Sequence, residues 1–331
     1  MEIRRPALVF LGDAPDQLAA KVAQGMVDWR PENVVGQYRM DGCNADLGIQ
    51  DMSITEGISA GARTLVIGVA NRGGLISDEW IAVLMEALEA GMDIAAGLHN
   101  KLNDIPELKA KADSLGRILF DVRHPTHTPP IGDGKKREGK RLLAVGTDCS
   151  CGKMYTALAF DKEMQARGMK STFRATGQTG ILITGAGISI DAVVSDFLAG
   201  AVEELAPAND ADHWDIVEGQ GSVYHPSYSG VTAGLIHGSQ ADALILCHEP
   251  TRTHMRGLPH YALPSIDDTM ETVLRFAKRT NPDAKFVGIC VNTKALNDDE
   301  AEKCLADIEA KYGLPTVDPV RTGVGRIVDT L

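Results

Sequence analysis

The chain has 331 residues, 44% of them hydrophobic and 24% charged, a balance that excludes a disordered or fibrous protein. Its 33 basic and 45 acidic side chains give a net charge of -12, which repels nucleic acid and anionic membrane surfaces. This length favours about two domains.

The N-terminal apolar run Ala7-Leu-Val-Phe-Leu11 is too short for a signal peptide or a membrane span, so a cytoplasmic protein is expected. Short apolar runs at 7–11, 33–37, 64–69, 93–96 and 117–122 read as strands. The segments 15–29, 49–60, 77–90 and 106–115 between them are long enough for helices. This alternation predicts a Rossmann-like parallel-sheet domain over 1–123. Gly12-Asp-Ala-Pro15 follows the first strand where a dinucleotide fingerprint would stand, so a nucleotide site of that sort is not expected there.

Residues 124–140, HPTHTPPIGDGKKREGK, are rich in proline, glycine and charge and read as an interdomain linker. The alternation restarts over 141–331. Strands are expected at 141–145, 170–174, 215–217, 243–247, 285–291 and 315–317, and helices at 152–167, 190–205, 230–238, 265–279 and 298–312. The second domain is thus a P-loop NTPase-like α/β domain.

Between its first strand and first helix lies Gly146-Thr-Asp-Cys-Ser-Cys-Gly-Lys-Met-Tyr-Thr156. A glycine loop there wraps backbone N–H groups around a phosphate, aims a helix N-terminus at it and adds one lysine charge, here Lys153. Residues Gly146, Thr147, Asp148, Cys149, Ser150, Cys151, Gly152, Lys153, Met154 and Tyr155 are therefore expected to bind the cofactor. Met154 stands where a Ser or Thr hydroxyl would hold Mg²⁺, so pyrophosphate binding is expected and metal-dependent hydrolysis is not.

The six cysteines show no zinc or disulfide spacing, and no metal site is expected. Cys149 and Cys151 read first as small side chains suited to a crowded turn; the alternative is that nearby N–H groups and Lys153 lower a thiol pKa and make an acyl-accepting nucleophile.

Two further clusters end strands of this domain. Arg174, Thr176, Gln178 and Thr179, in Phe173-Arg-Ala-Thr-Gly-Gln-Thr-Gly-Ile-Leu182, offer a cation and hydrogen-bonding groups for a substrate. Glu218 ends the strand at 215–217 and is a candidate general base, as is Asp191, which reads equally well as a helix cap. His225, His248, Arg252, His254, Arg256 and His260 lie in two aperiodic loops, 223–229 and 248–261, able to enclose a substrate. In the first domain, Asn71-Arg-Gly-Gly74 and His99-Asn100 follow strands.

With these clusters in hand the chain resembles, over its whole length, the family known as domain of unknown function 1611. Gly146 to Thr156, Arg174-Ala-Thr-Gly-Gln-Thr-Gly180 and Glu218-Gly-Gln-Gly221 carry the resemblance. Members of that family have been assigned as D-glutamate N-acetyltransferases. The resemblance therefore implies acetyl-CoA as donor and D-glutamate as acceptor, in D-amino-acid metabolism. A coenzyme A pyrophosphate needs to be held and not cleaved, which suits a loop without a metal-binding hydroxyl. Arg174, Arg252, Arg256 and Arg72 are then candidates for the acceptor carboxylates, Glu218 or Asp191 for the base, and Lys153 or loop N–H groups for the oxyanion. The C-terminal half more distantly resembles dethiobiotin synthetase, which has threonine where this chain has Met154. The alternatives are an ATP-dependent ligase or kinase of that type and a non-catalytic coenzyme A or nucleotide sensor. The expected partner is a small molecule, with a homo-oligomer as the default assembly.

Overall fold

The computed structural model describes residues 2–69 and 75–331. Two compact units emerge, one formed by Met1–Thr126 with Gly177–Ala192 and the other by His127–Thr176 with Val193–Leu331.

The first unit is built on strands β1 (Ala7–Gly12), β2 (Val34–Arg39), β3 (Thr64–Ile67), β4 (Asp93–Ala96) and β5 (Leu119–Asp121), with helices α1 (Lys21–Trp29), α2 (Ile54–Ser59), α3 (Asp78–Glu89) and α4 (Pro106–Leu115). The strands run parallel in the order β2-β1-β3-β4-β5, and β1, β3 and β4 are buried along their whole length, as a sheet covered on both faces requires. Helix α2 begins later than its apolar spacing suggests because Ser53 and Glu56 form a capping box that sets its first turn. At the end of β1, Gly12 has φ +52, and a Cβ on it would lie 2.6 Å from the Trp80 ring. Trp80 Nε1 donates to Asp13 Oδ1 at 2.9 Å. The indole thus fills the turn in which a dinucleotide fingerprint would hold a pyrophosphate.

The second unit opens with β6 (Lys140–Gly146), α5 (Lys153–Ala166) and β7 (Ser171–Arg174). The chain then leaves it for helix α6 (Gln178–Thr184), which belongs to the first unit. There Arg5 donates to the Leu182 carbonyl and the Ile3 N–H to that of Gly185. It returns through α7 (Leu198–Leu205), β8 (Trp214–Val217), α8 (Ser229–Ser239), β9 (Ala243–His248), β10 (His254–Met255), β11 (Leu258–Ala262), α9 (Ile266–Ala277), β12 (Lys285–Val291), α10 (Asp298–Tyr312), β13 (Thr316–Val317) and α11 (Gly325–Val328). The main sheet is parallel in the order β13-β12-β9-β6-β8-β7, which puts β6 between β8 and β9. Among the described residues no helix is long and apolar enough to cross a membrane.

Three local expectations change. Helix α6 is hidden in the sequence by Gly180 and by the glycine at its N-cap, Gly177. The single helix expected over 190–205 is two 3₁₀ turns, Ile190–Ala192 and Ser195–Phe197, followed by α7 alone. Val194, with ψ 134, breaks the run. The loop expected over 248–261 contains the antiparallel hairpin β10–β11.

The segment read as a linker has no helix or strand before Lys140, and from His127 it is tied to the second unit. Arg137 donates to the Ala206 carbonyl at 2.8 Å and the Gly238 carbonyl at 2.7 Å, capping α7 and α8. Burial, with Arg141 adding repulsion, pulls its pKa down to about 10. Gly200 of α7 lets the segment approach, because a Cβ there would stand 1.9 Å from the Pro130 carbonyl oxygen. Gly200→Ala should therefore cost about 2 to 3 kcal/mol through overpacking, read as a lower urea midpoint with an unchanged slope.

Candidate active site at the phosphate loop

Strand β6 carries the phosphate loop to the sheet edge where ligands of open α/β folds gather. Its neighbours deliver two further loops to the same edge. Leu143 lies in register with Val217 of β8, and Gly146 with Cys247 of β9. The loop is tight. A Cβ on Gly146 would meet Cys151 Sγ at 2.4 Å, Ser150 has φ 52 and Gly152 has φ 109, the left-handed turn that starts α5. Lys153, 6% exposed, donates from Nζ to the Asp148 carbonyl at 2.7 Å. The N-terminus of α5 and the N–H groups ahead of it supply the positive end of a helix to any anion in the loop.

Asp148 organises this loop from below. Its carboxylate is 1% exposed. Oδ1 accepts from the Cys149 N–H at 2.7 Å, while Oδ2 accepts from Arg252 Nη1 at 2.5 Å and from the Arg256 N–H at 2.8 Å. Arg252 also donates to the Cys149 carbonyl at 2.6 Å, the Ser150 carbonyl at 3.4 Å and Glu249 Oε2 at 3.1 Å. Burial opposes its charge, yet Asp148 and Glu249 outweigh that and raise its pKa. His225, 2% exposed, accepts from the Ser227 N–H on Nδ1 at 3.2 Å, which leaves Nε2 to donate to the Arg256 carbonyl at 3.2 Å.

The other flank is the end of β8. Glu218, 3% exposed, accepts the Thr176 N–H on Oε2 at 2.8 Å, and Thr176 Oγ1 returns a bond to the Glu218 carbonyl at 2.7 Å. Gln220 Nε2 donates to Thr176 Oγ1 at 3.1 Å. Gly219 packs so close to β6 that a Cβ would fall 1.6 Å from the Ala144 carbonyl oxygen and 3.0 Å from Lys153 Cδ. Thr147 Oγ1 bonds His248 Nδ1 at 3.1 Å, and burial lowers the pKa of His248, favouring its neutral form.

The loop residues, Lys153, Glu218, Thr176 and Arg252 are thus gathered on one edge of one unit. The other described candidates have partners within the protein or belong to the first unit. Arg174 Nε donates to the buried Asp215 Oδ1 at 2.7 Å, and Asp215 pairs in register with Arg141 near the start of β6, away from the loop. Gln178 and Thr179 open α6 in the first unit. Asp191, in that unit too, accepts from Arg123 Nη2 at 3.0 Å and from Ser189 Oγ at 2.8 Å. Arg72 lies outside the described residues, as does the rest of Asn71 to Gly74. His225 and His248 emerge as loop supports, a role for which the sequence carried no signal beyond their place after strands.

Two chemical options narrow. Burial pushes the Cys149 thiol up, Asp148 adds to the effect and Lys153 does not offset it, which favours the inert small side chain over the activated thiolate. Asp148, Cys149 and His225 carry potential ligand atoms within 4.8 Å of one another. Their chemistry does not suit a cation, because Arg252 and two backbone N–H groups already occupy the carboxylate and both imidazole nitrogens bond backbone.

Comparison with known proteins adds identity to this geometry. Residues 130–328 match the P-loop domain, and residues 36–125 the Rossmann-like domain, of the domain of unknown function DUF1611. The chain belongs to the DUF1611 family. A D-glutamate N-acetyltransferase from Tritonibacter scottomollicae is 63% identical over 99% of both chains, and one from a Pseudoalteromonas species is 48% identical over 100% of both. The crystal structure of a DUF1611 family protein from Anabaena variabilis superposes with a TM-score of 0.83 at 32% identity, covering 98% of each chain. The Rossmann-like and P-loop architecture expected for this DUF1611 chain is the one observed.

The thiol chemistry is directly testable. Iodoacetamide should label Cys149 at neutral pH more slowly than it labels a free cysteine, with the rate rising above the ordinary thiol pKa, and Cys149→Ser should leave catalytic turnover intact.

Proposed function

We propose that this chain is a D-glutamate N-acetyltransferase, an acyltransferase that takes the acetyl group of acetyl-CoA held through its pyrophosphate on the phosphate loop. The observation that carries this reading is the 63% identity, end to end, to a protein of that activity. The loop supports the donor: Lys153 and the α5 N-terminus suit a pyrophosphate, and the thioether of Met154 offers no hydroxyl to a Mg²⁺ that would assist phosphoryl cleavage. Holding coenzyme A requires no such cleavage. Buried, unpaired thiols such as Cys247 and Cys290 suit a reducing cytoplasm.

In the transfer, the acceptor ammonium gives one proton to the base, the amine attacks the thioester carbonyl, and the tetrahedral intermediate breaks its C–S bond to form the amide while its nitrogen gives up a second proton, which ends on the departing coenzyme A sulfur. Glu218 is the proposed base, ahead of Asp191, because it ends the strand beside the loop strand within the same unit. Lys153 is assigned to the pyrophosphate.

Purified, metal-free protein should release thiol from acetyl-CoA when D-glutamate is present, with less or none for L-glutamate or without amine, and chelator should make no difference. Absence of release with any amine, together with phosphate production from Mg-ATP, would sink the transfer reading and favour a ligase. Glu218→Gln should lower kcat by roughly 10²- to 10⁴-fold with little change in the KM for acetyl-CoA. A raised KM at unchanged kcat would instead make Glu218 a brace for Thr176 and move the base to Asp191.

A further inference from the structure

Arg252 and Arg256 both flank the phosphate loop, yet they are built in opposite ways. The Arg252 guanidinium is spent on Asp148, Glu249 and two loop carbonyls. Arg256 is held instead by its backbone: its N–H donates to Asp148 Oδ2 at 2.8 Å and its carbonyl accepts from His225 Nε2 at 3.2 Å. The preceding Met255 is 2% exposed and plugs the hairpin inward, and Gly257, with φ +77, makes the turn that follows. The Arg256 side chain is exposed, and its guanidinium has no hydrogen-bond or ion-pair partner among the described residues. A cation has thus been pinned beside a phosphate cradle with its head left unengaged.

Charge balance says what it would meet. Around the loop, the cations Lys153 and Arg252 face three carboxylates, Asp148, Glu218 and Glu249, so without Arg256 the surroundings carry one negative charge within a chain of net charge -12. With Met154 in place of a metal-binding hydroxyl, neutralisation of a polyanionic ligand falls to side chains. A guanidinium binds two oxygens of a phosphate or carboxylate at once.

We infer that Arg256 is the ligand-facing cation of this site, binding a phosphate or carboxylate group of the substrates through its guanidinium, while Arg252 is a positioning residue that turns the loop carbonyls outward. The identity of the two anions rests on the acetyl-transfer reading; the division of labour between the two arginines does not.

Because Arg256 is anchored by backbone, Arg256→Ala removes the charge without releasing the loop, and its melting temperature should match that of the wild type. The full-length protein is assayed for KM with acetyl-CoA and with D-glutamate, and titrated calorimetrically with pyrophosphate and with D-glutamate. Arg256→Ala should raise at least one of these constants roughly tenfold to hundredfold, with Arg256→Lys recovering part of the loss. A rise confined to acetyl-CoA and pyrophosphate assigns the donor phosphates, whereas one confined to D-glutamate assigns an acceptor carboxylate. Constants all within twofold of wild type overturn the inference. If the wild type acetylates no amine, the transfer reading fails separately, and the two titrations of wild type against Arg256→Ala still decide the role of Arg256.

Discussion

The ion pair between Asp148 and Arg252, 2.5 Å long around a carboxylate that is 1% exposed, shapes the loop on which the rest of the site depends. A phosphate cradle works only when its N–H groups face inward, which leaves its carbonyls facing protein. Arg252 collects two of those carbonyls, and Asp148 takes the Cys149 N–H along with that of Arg256. Removing one partner of such a pair leaves an uncompensated buried charge, a loss of about 3 to 5 kcal/mol in comparable cases. The pair therefore couples the shape of the loop to the position of the β10–β11 hairpin.

A similar device recurs away from the loop. Asp215, 1% exposed, takes Arg174 at 2.7 Å, while Arg141, 0% exposed, donates to the Glu138 carbonyl at 2.8 Å and the Pro207 carbonyl at 3.1 Å. Arginine can do this because its planar, weakly hydrated head satisfies several carbonyls at once. Arg174 and Arg252, both expected to meet substrate carboxylates, are in this way committed to carboxylates of the protein. That commitment concentrates attention on Arg256, whose anchorage is through its backbone.

Electrostatics also frames the chemistry. A strongly acidic chain can attract a polyanion only through local field, and here that field comes from a helix N-terminus, loop N–H groups and a few fixed cations. Burial raises the pKa of Cys149 and lowers that of His248, which disfavours a charge on either beside Lys153.

Much of this was legible from the chain alone. Apolar runs alternating with helical spacing determined two parallel-sheet α/β units, and the spacing from Gly146 to Lys153 determined a phosphate loop; Met154 at the metal position narrowed its chemistry. Periodicity could do this because strands and helices bury their apolar residues at fixed intervals. Glycines at 177 and 180 masked α6, and the same local rules say nothing about which unit a helix joins. Only the tertiary structure decided that residues 127–140 pack on α7 and α8, that Arg174 turns to Asp215, and that Arg252 holds the loop while Arg256 is held beside it. Those outcomes depend on which buried carboxylates and carbonyls lie within reach of a long side chain, a property of residues far apart in sequence that composition and spacing do not encode.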